Sequence, residues 1–132
     1  PFVFVDGAEV KDRSISGHYT ITGKECFMPG HFPGRPVFPA SIMVEALGQL
    51  AIVYLFQTYS NHGLDPESIF FIKSEDVQCR RKCFPGERLD MEIEVKVVRE
   101  PVITFKGNIS VNGEPAVKVS SLMLSFSLNH AS

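Results

Sequence analysis

The chain has 132 residues, 44% of them hydrophobic, which is enough for one modest core and favours a single domain over residues 1–132. Its formal net charge of -2 at pH 7 argues against a general nucleic-acid-binding protein, which would show a basic balance. Three cysteines at irregular spacing predict no disulfide framework and favour a reducing, cytoplasmic setting. The four histidines are too scattered in sequence to predict a metal site.

Two strands are predicted near the N-terminus, over residues 2–11 and 14–22, because both stretches are rich in β-branched and aromatic residues. A loop rich in glycine and proline follows over residues 23–39. From about Ala40 to Tyr59 the chain is apolar on nearly every side, which predicts one long helix wrapped by other elements.

This apolar stretch approaches the length of a membrane span, but it carries Glu45 and Gln49 one turn apart near its start. Polar groups there would make insertion into a bilayer costly, so we interpret the helix as the core helix of a soluble protein. Gly48 is the one helix-weakening residue inside it, at a cost of roughly 0.5 to 1 kcal/mol relative to alanine. We expect it to mark a close backbone approach to a sheet or a partner.

The remainder of the chain is predicted to be β-structure. Strands are expected over residues 68–82, 89–97, 103–111 and 116–128, with a hairpin turn at Asn112-Gly113. In the last strand the apolar positions switch from odd to even numbers at Ser120-Ser121, which predicts a β-bulge. The fold class is therefore α+β, with a long helix wrapped by a curved antiparallel sheet of five to six strands.

The loop and the start of the helix together hold groups suited to acid–base chemistry. His31 is an imidazole of ordinary pKa range, suited to act as a base, and Glu45 has no Lys or Arg nearby on the helix. If buried there, Glu45 would tend to hold its proton, as a general acid must. Pro39 is well placed to start the helix, which leaves the N–H groups of Ala40 and Ser41 available to a developing oxyanion.

The segment Gly30-His31-Phe32-Pro33-Gly34-Arg35-Pro36-Val37, followed by Phe38-Pro39 and by Glu45-Ala46-Leu47 with Gln49, closely resembles the signature of the β-hydroxyacyl-[acyl carrier protein] dehydratases. The opening residues PFVFVD and the segment from Arg80 to Glu87 (RRKCFPGE) also resemble that family. The resemblance covers nearly the whole chain, and its central motif is specific.

The resemblance implies a hotdog fold, and a homodimer or trimer of dimers with each active site at a subunit interface. His31 would remove the α-proton of a β-hydroxyacyl thioester, and Glu45, directly or through a water, would protonate the departing hydroxyl. The product would be a trans-2-enoyl thioester. No cofactor is implied beyond the phosphopantetheine arm of acyl carrier protein, which carries the substrate.

Several other residues are assigned by position. Ala40 stands where the family usually has glycine; it retains the N–H that would bind the thioester carbonyl but adds a methyl group. Phe32 and Gly34 would shape the loop around His31, Ser41 would cap or line the site, and Gln49 either orients Glu45 or satisfies its own amide. In a mildly acidic chain, the cluster Arg80, Arg81 and Lys82 suits docking of an acidic carrier protein.

Two other functions remain open from the sequence: a hotdog acyl thioesterase, and a hotdog protein that binds acyl chains without catalysis. The pathway, whether housekeeping fatty-acid synthesis or a polyketide or polyene pathway, is also open. The helix residues Met43, Leu47 and Leu50 are candidates to line the acyl tunnel, and equally candidates for plain core.

Overall fold

The computed structural model describes residues 3–25 and 37–129 of the chain. It contains one long helix and six strands: β1 (Gly7–Lys11), β2 (Ser14–Thr20), α1 (Ala40–Tyr59), β3 (Phe70–Cys79), β4 (Arg88–Arg99), β5 (Val102–Val111) and β6 (Glu114–Ser125). Two short 3-10 helices, Ser60–His62 and Pro66–Ser68, connect α1 to β3. The predicted α+β class is confirmed.

The strands form one antiparallel sheet in the order β1-β2-β4-β5-β6-β3, and α1 packs against its inner face. The alternating residues of β4 show why the sheet has an inner and an outer face. Leu89, Met91, Ile93 and Val95 are almost fully buried, whereas Glu92 and Glu94 between them are exposed. Burying one side chain in two against a helix gives the wrapped arrangement that the hotdog prediction requires.

The predicted irregularities of β6 are present. Asn112 and Gly113 have positive φ angles of 50° and 79°, as expected for a tight hairpin turn between β5 and β6. Along these two strands, Phe105 pairs with Leu122 and Gly107 pairs with Val119, so one residue of β5 faces both Ser120 and Ser121. This bulge moves the apolar side chains of β6 from odd to even positions while keeping them on the inner face.

The bounds of α1 agree with the prediction, but its surroundings do not. The expectation that other elements wrap the helix on every side is wrong for the single chain, because Glu45 and Phe56 are exposed. The segment Ala40–His62 is long and apolar enough to cross a membrane. Its inner residues, such as Leu47 and Leu50, are nevertheless fully buried inside the sheet, so we interpret α1 as a core helix.

Strand β3 forms one edge of the sheet and is exposed along nearly its whole length. Phe70, Phe71, Ile72 and Val77 are 61%, 48%, 40% and 40% exposed, respectively. A long, apolar edge strand offers unpaired backbone groups and hydrophobic side chains to another chain.

Candidate active site

The start of α1 presents backbone donors at the surface. The N–H groups of Ile42 and Met43 both donate to the carbonyl oxygen of Pro39, at 3.1 Å each, so those of Ala40 and Ser41 precede the first hydrogen bonds of the helix. Ala40 and Ser41 are both exposed. Two N–H groups at the positive end of a helix of 20 residues can stabilise an oxyanion.

Glu45 lies one turn further along the same helix. Its carboxylate Oε2 accepts a hydrogen bond of 3.1 Å from Gln49 Nε2, while Gln49 Oε1 accepts one of 2.7 Å from the Phe4 backbone N–H. The carboxamide of Gln49 is therefore oriented by the N-terminal segment and donates to the acid. Glu45 is exposed in the single chain, so the burial that would favour its protonated form has to come from a partner or a substrate.

His31, Phe32 and Gly34 lie outside the described residues, but the chain on each side of that loop is anchored to one segment. Phe38 N–H donates to the Cys83 carbonyl at 2.8 Å, and Ile21 exchanges backbone hydrogen bonds with Glu87 and Gly86. The segment 83–87 thus holds both the residues before and the residues after the loop.

At the N-terminal side of the loop, Glu25 accepts hydrogen bonds from the Tyr19 hydroxyl and from the backbone N–H groups of Thr22 and Gly23. Partial burial raises the pKa of Glu25, but the hydrogen bonds from Tyr19 and Thr22 outweigh it and leave the pKa below its usual value. Burial, with the neighbouring Glu25 carboxylate, raises the pKa of Tyr19 above its usual range. The pair is therefore a neutral phenol donating to an ionised acid.

An apolar groove of about 370 Å³ runs between α1 and the inner face of β3. Its lining residues come from α1, β3 and β6: Ser41, Val44, Glu45, Gly48, Ile52, Phe71, Ser74 and Leu124. Glu45 thus lines an apolar groove, and Ser41 from the first turn of the helix lines it as well.

Gly48 faces open space and not the sheet. A Cβ atom built on it would meet nothing within 4 Å among the described residues, so the predicted close approach is wrong for the sheet and stays a prediction for a partner. Gly48 itself is buried, but a side chain at this position would point into the open groove. Once the structure places Glu45 on the groove, helical spacing explains why Ser41, Gly48 and Ile52 lie on the same face, since each step between these positions is three or four residues.

The structure assigns the tunnel candidates Met43, Leu47 and Leu50 to the core, where they are 2%, 0% and 0% exposed.

A second depression, of about 570 Å³, lies on the outer face of the sheet over β2 and β4 and has a polar lining that includes His18 and Asp90. Within residues 3–25 and 37–129, no group of three His, Cys, Asp or Glu side chains could hold a metal ion.

The basic cluster is divided by its contacts. Arg81 pairs with Glu87 at 2.6 Å and with Glu114 at 3.3 Å, so its charge is compensated and its side chain fixed. Arg80 is exposed and donates to Gln78 at 2.7 Å, and Lys82 is exposed as well. Of the three, Arg81 therefore serves the segment that anchors the loop.

A long helix wrapped by a six-stranded antiparallel sheet defines the class of hotdog-fold proteins. The sequence model of the FabA-like domain matches residues 3–120, and the chain belongs to that family. The family predicted from the motif, and the enzyme class of dehydratase, are confirmed.

Among curated proteins, the chain is 35% identical over 120 residues to the 3-hydroxyacyl-[acyl-carrier-protein] dehydratase FabZ of Caulobacter vibrioides, covering 89% of this chain and 75% of that protein. It is 34% identical over 116 residues to the protein of the same name from Geobacillus thermodenitrificans, covering 86% and 78%.

Solved structures share the fold at low sequence identity. The dehydratase heterocomplex ApeI:P of Xenorhabdus doucetiae matches with a TM-score of 0.78 at 16% identity, covering 97% of this chain and 85% of that one. The fluoroacetyl-CoA thioesterase FlK matches with a TM-score of 0.71 at 13% identity, covering 93% and 90%. Likeness at this identity supports the hotdog fold alone.

Proposed function

We propose that the chain dehydrates β-hydroxyacyl groups carried by acyl carrier protein, giving trans-2-enoyl thioesters and water in fatty-acid or related polyketide or polyene synthesis. The observation that carries this proposal is the placement of Glu45 in an apolar groove that is also lined by Ser41, in the exposed first turn of α1. The two relatives above are named as dehydratases of 3-hydroxyacyl groups on this carrier.

In the proposed reaction the thioester carbonyl accepts hydrogen bonds from the start of α1, which stabilises the negative charge that develops when the α-proton leaves. His31 takes that proton, the Cβ–O bond breaks, and Glu45, directly or through a water, supplies a proton so that the hydroxyl leaves as water. Transfer of a proton from His31 back to Glu45 restores both groups. No cofactor is required besides the carrier's phosphopantetheine.

Gln49 supports the role of Glu45 in this scheme. Because the Phe4 N–H fixes the carboxamide oxygen of Gln49, the amide nitrogen faces the carboxylate and limits the positions that it can adopt. Ser41 lines the same groove and adds a hydroxyl near the donors. Phe32 and Gly34 retain their proposed part in shaping the loop that carries His31.

We propose that two copies of the chain pair, in a dimer or a trimer of dimers, and that the partner covers the exposed face of α1 and the edge strand β3. Exposed Phe70, Phe71 and Ile72 on that edge support this. Pairing would remove Glu45 from water, which the general-acid role requires, and would bring His31 of one copy to Glu45 of the other.

We also propose that the assembly is cytoplasmic and that the carrier protein docks at Arg80 and Lys82. Arg81 would support that surface.

The test measures hydration of a trans-2-butenoyl thioester through the loss of enoyl absorbance, with a thiol reagent present in a parallel reaction. The wild-type chain is expected to hydrate the double bond, and His31→Ala and Glu45→Gln are expected to lose about 10²-fold or more while remaining folded and dimeric. Release of free thiol without loss of enoyl absorbance would instead identify a thioesterase. A folded wild-type dimer that does neither, with this substrate and with a ten-carbon enoyl thioester, would refute both catalytic functions and leave acyl binding without catalysis as the remaining candidate.

A further inference from the structure

The groove floor contains a position without a side chain beside the proposed acid. Gly48 lines the groove, and a Cβ added there would meet no atom within 4 Å in the part of the chain that the structure describes. Helix-interior glycine is unfavourable by about 0.5 to 1 kcal/mol relative to alanine, and here no described backbone or side chain requires it. The space itself is what the glycine provides.

The position of this space relative to Glu45 indicates what it holds. At 1.5 Å of rise per residue, Gly48 lies about 4.5 Å beyond Glu45 along the axis of α1, and Ile52 about 10.5 Å beyond. Side chains of a helix lean toward its N-terminus, so a side chain at position 48 would cover the surface next to Glu45. An acyl group with its thioester at the helix start and its β-carbon at Glu45 would pass its later carbons over Gly48.

We propose that Gly48 is a specificity-determining residue: the missing side chain admits acyl groups that extend well beyond the β-carbon, of six carbons or more, into the channel bounded by Val44, Ile52 and Phe71. The inference rests on the proposed function. The effect is steric: each carbon added at position 48 narrows the groove between α1 and β3.

The test uses the 132-residue chain and three variants: Gly48→Ala, Gly48→Val and the control Gln57→Val, which puts the same β-branched residue at an exposed helix position outside the groove. For each, hydration rates are measured with trans-2-butenoyl and trans-2-decenoyl thioesters, and the ratio of the ten-carbon to the four-carbon rate is compared. Size-exclusion chromatography and thermal unfolding report the oligomer and the fold.

Because one methylene group in an apolar pocket is worth about 10- to 200-fold in discrimination, the ratio is expected to fall about tenfold in Gly48→Ala and further in Gly48→Val. Gln57→Val is expected to keep the wild-type ratio. An unchanged ratio in both Gly48 variants would overturn the inference while leaving the dehydratase proposal intact. Gly48 variants that dissociate into monomers would also overturn it, since the glycine would then serve the partner. A folded wild-type chain that hydrates neither substrate would refute the proposed function, and this inference with it.

Discussion

Replacing glycine by alanine at three positions should give three different changes in stability, because the space around each differs. Gly48→Ala is expected to stabilise the chain, since the added Cβ meets no described atom within 4 Å and the helix gains about 0.5 to 1 kcal/mol in propensity. For a chain of 132 residues this corresponds to a rise in the unfolding midpoint of about 2 to 5 °C.

The other two glycines lie under the helix and should behave oppositely. A Cβ at Gly107 would lie 3.1 Å from Ile93 Cγ2 and 3.3 Å from Leu47 Cδ1, so two buried side chains must shift, at a cost of about 1 kcal/mol. At Gly17 it would lie 2.7 Å from Leu50 Cδ1 and 2.8 Å from the Gly7 backbone oxygen. Because a paired strand cannot easily move, that variant should lose about 3 kcal/mol.

Urea unfolding at one fixed protein concentration, followed by circular dichroism, measures all three changes, and the fixed concentration keeps the contribution of dimer formation comparable between variants that dimerise equally. The expected order of stability is Gly48→Ala above wild type, then Gly107→Ala, then Gly17→Ala. A Gly48→Ala variant less stable than wild type would refute the reading of an open groove, and a Gly17→Ala variant as stable as wild type would refute the contacts assigned to β2.

Three further outcomes follow from single contacts. Gln49→Ala removes the acceptor of the Phe4 N–H and should lose about 1 to 3 kcal/mol of unfolding free energy, whereas Glu45→Ala leaves that acceptor in place, removes only an exposed contact and should lose less; the opposite order in urea unfolding would contradict the bridge. The lowered pKa of Glu25 stabilises the folded chain above pH 4.5, and this stabilisation is lost as the pH falls through the pKa that Glu25 has in the folded chain. In Glu25→Gln, which keeps an acceptor for Tyr19, stability should therefore fall less over that range, and an unchanged pH profile would count against the assignment. Burial raises the pKa of Cys83 to about 11, so its thiol should resist a thiol reagent at pH 8 until urea unfolds the chain. Rapid labelling of Cys83 itself in the folded chain would disprove that burial.

Local pattern was sufficient for the type and order of the elements of this fold but not for all their ends: the first strand, predicted over residues 2–11, is Gly7–Lys11, and the last, predicted over residues 116–128, is Glu114–Ser125. Alternation with period two in β4, the change of parity at Ser120-Ser121 and the break-free apolar run Ala40–Tyr59 each depend on neighbours in sequence, and each is present as predicted. The motif from Gly30 to Gln49 was sufficient for the family, because it combines residue types and spacings that a structural role alone would not require.

The sequence by itself determined the α+β class, the helix bounds and the family of this protein. Only the tertiary structure decided which face of α1 the chain buries and which it leaves to the groove, since a helix that is apolar on nearly every side has no periodic signal to separate them. Met43 and Leu47 therefore proved to be core, whereas Gly48 and Ile52 line the groove beside Glu45. The same holds for Arg81, whose ion pair with Glu114 joins residues that are distant in the sequence. They meet because the end of β3 runs beside the start of β6.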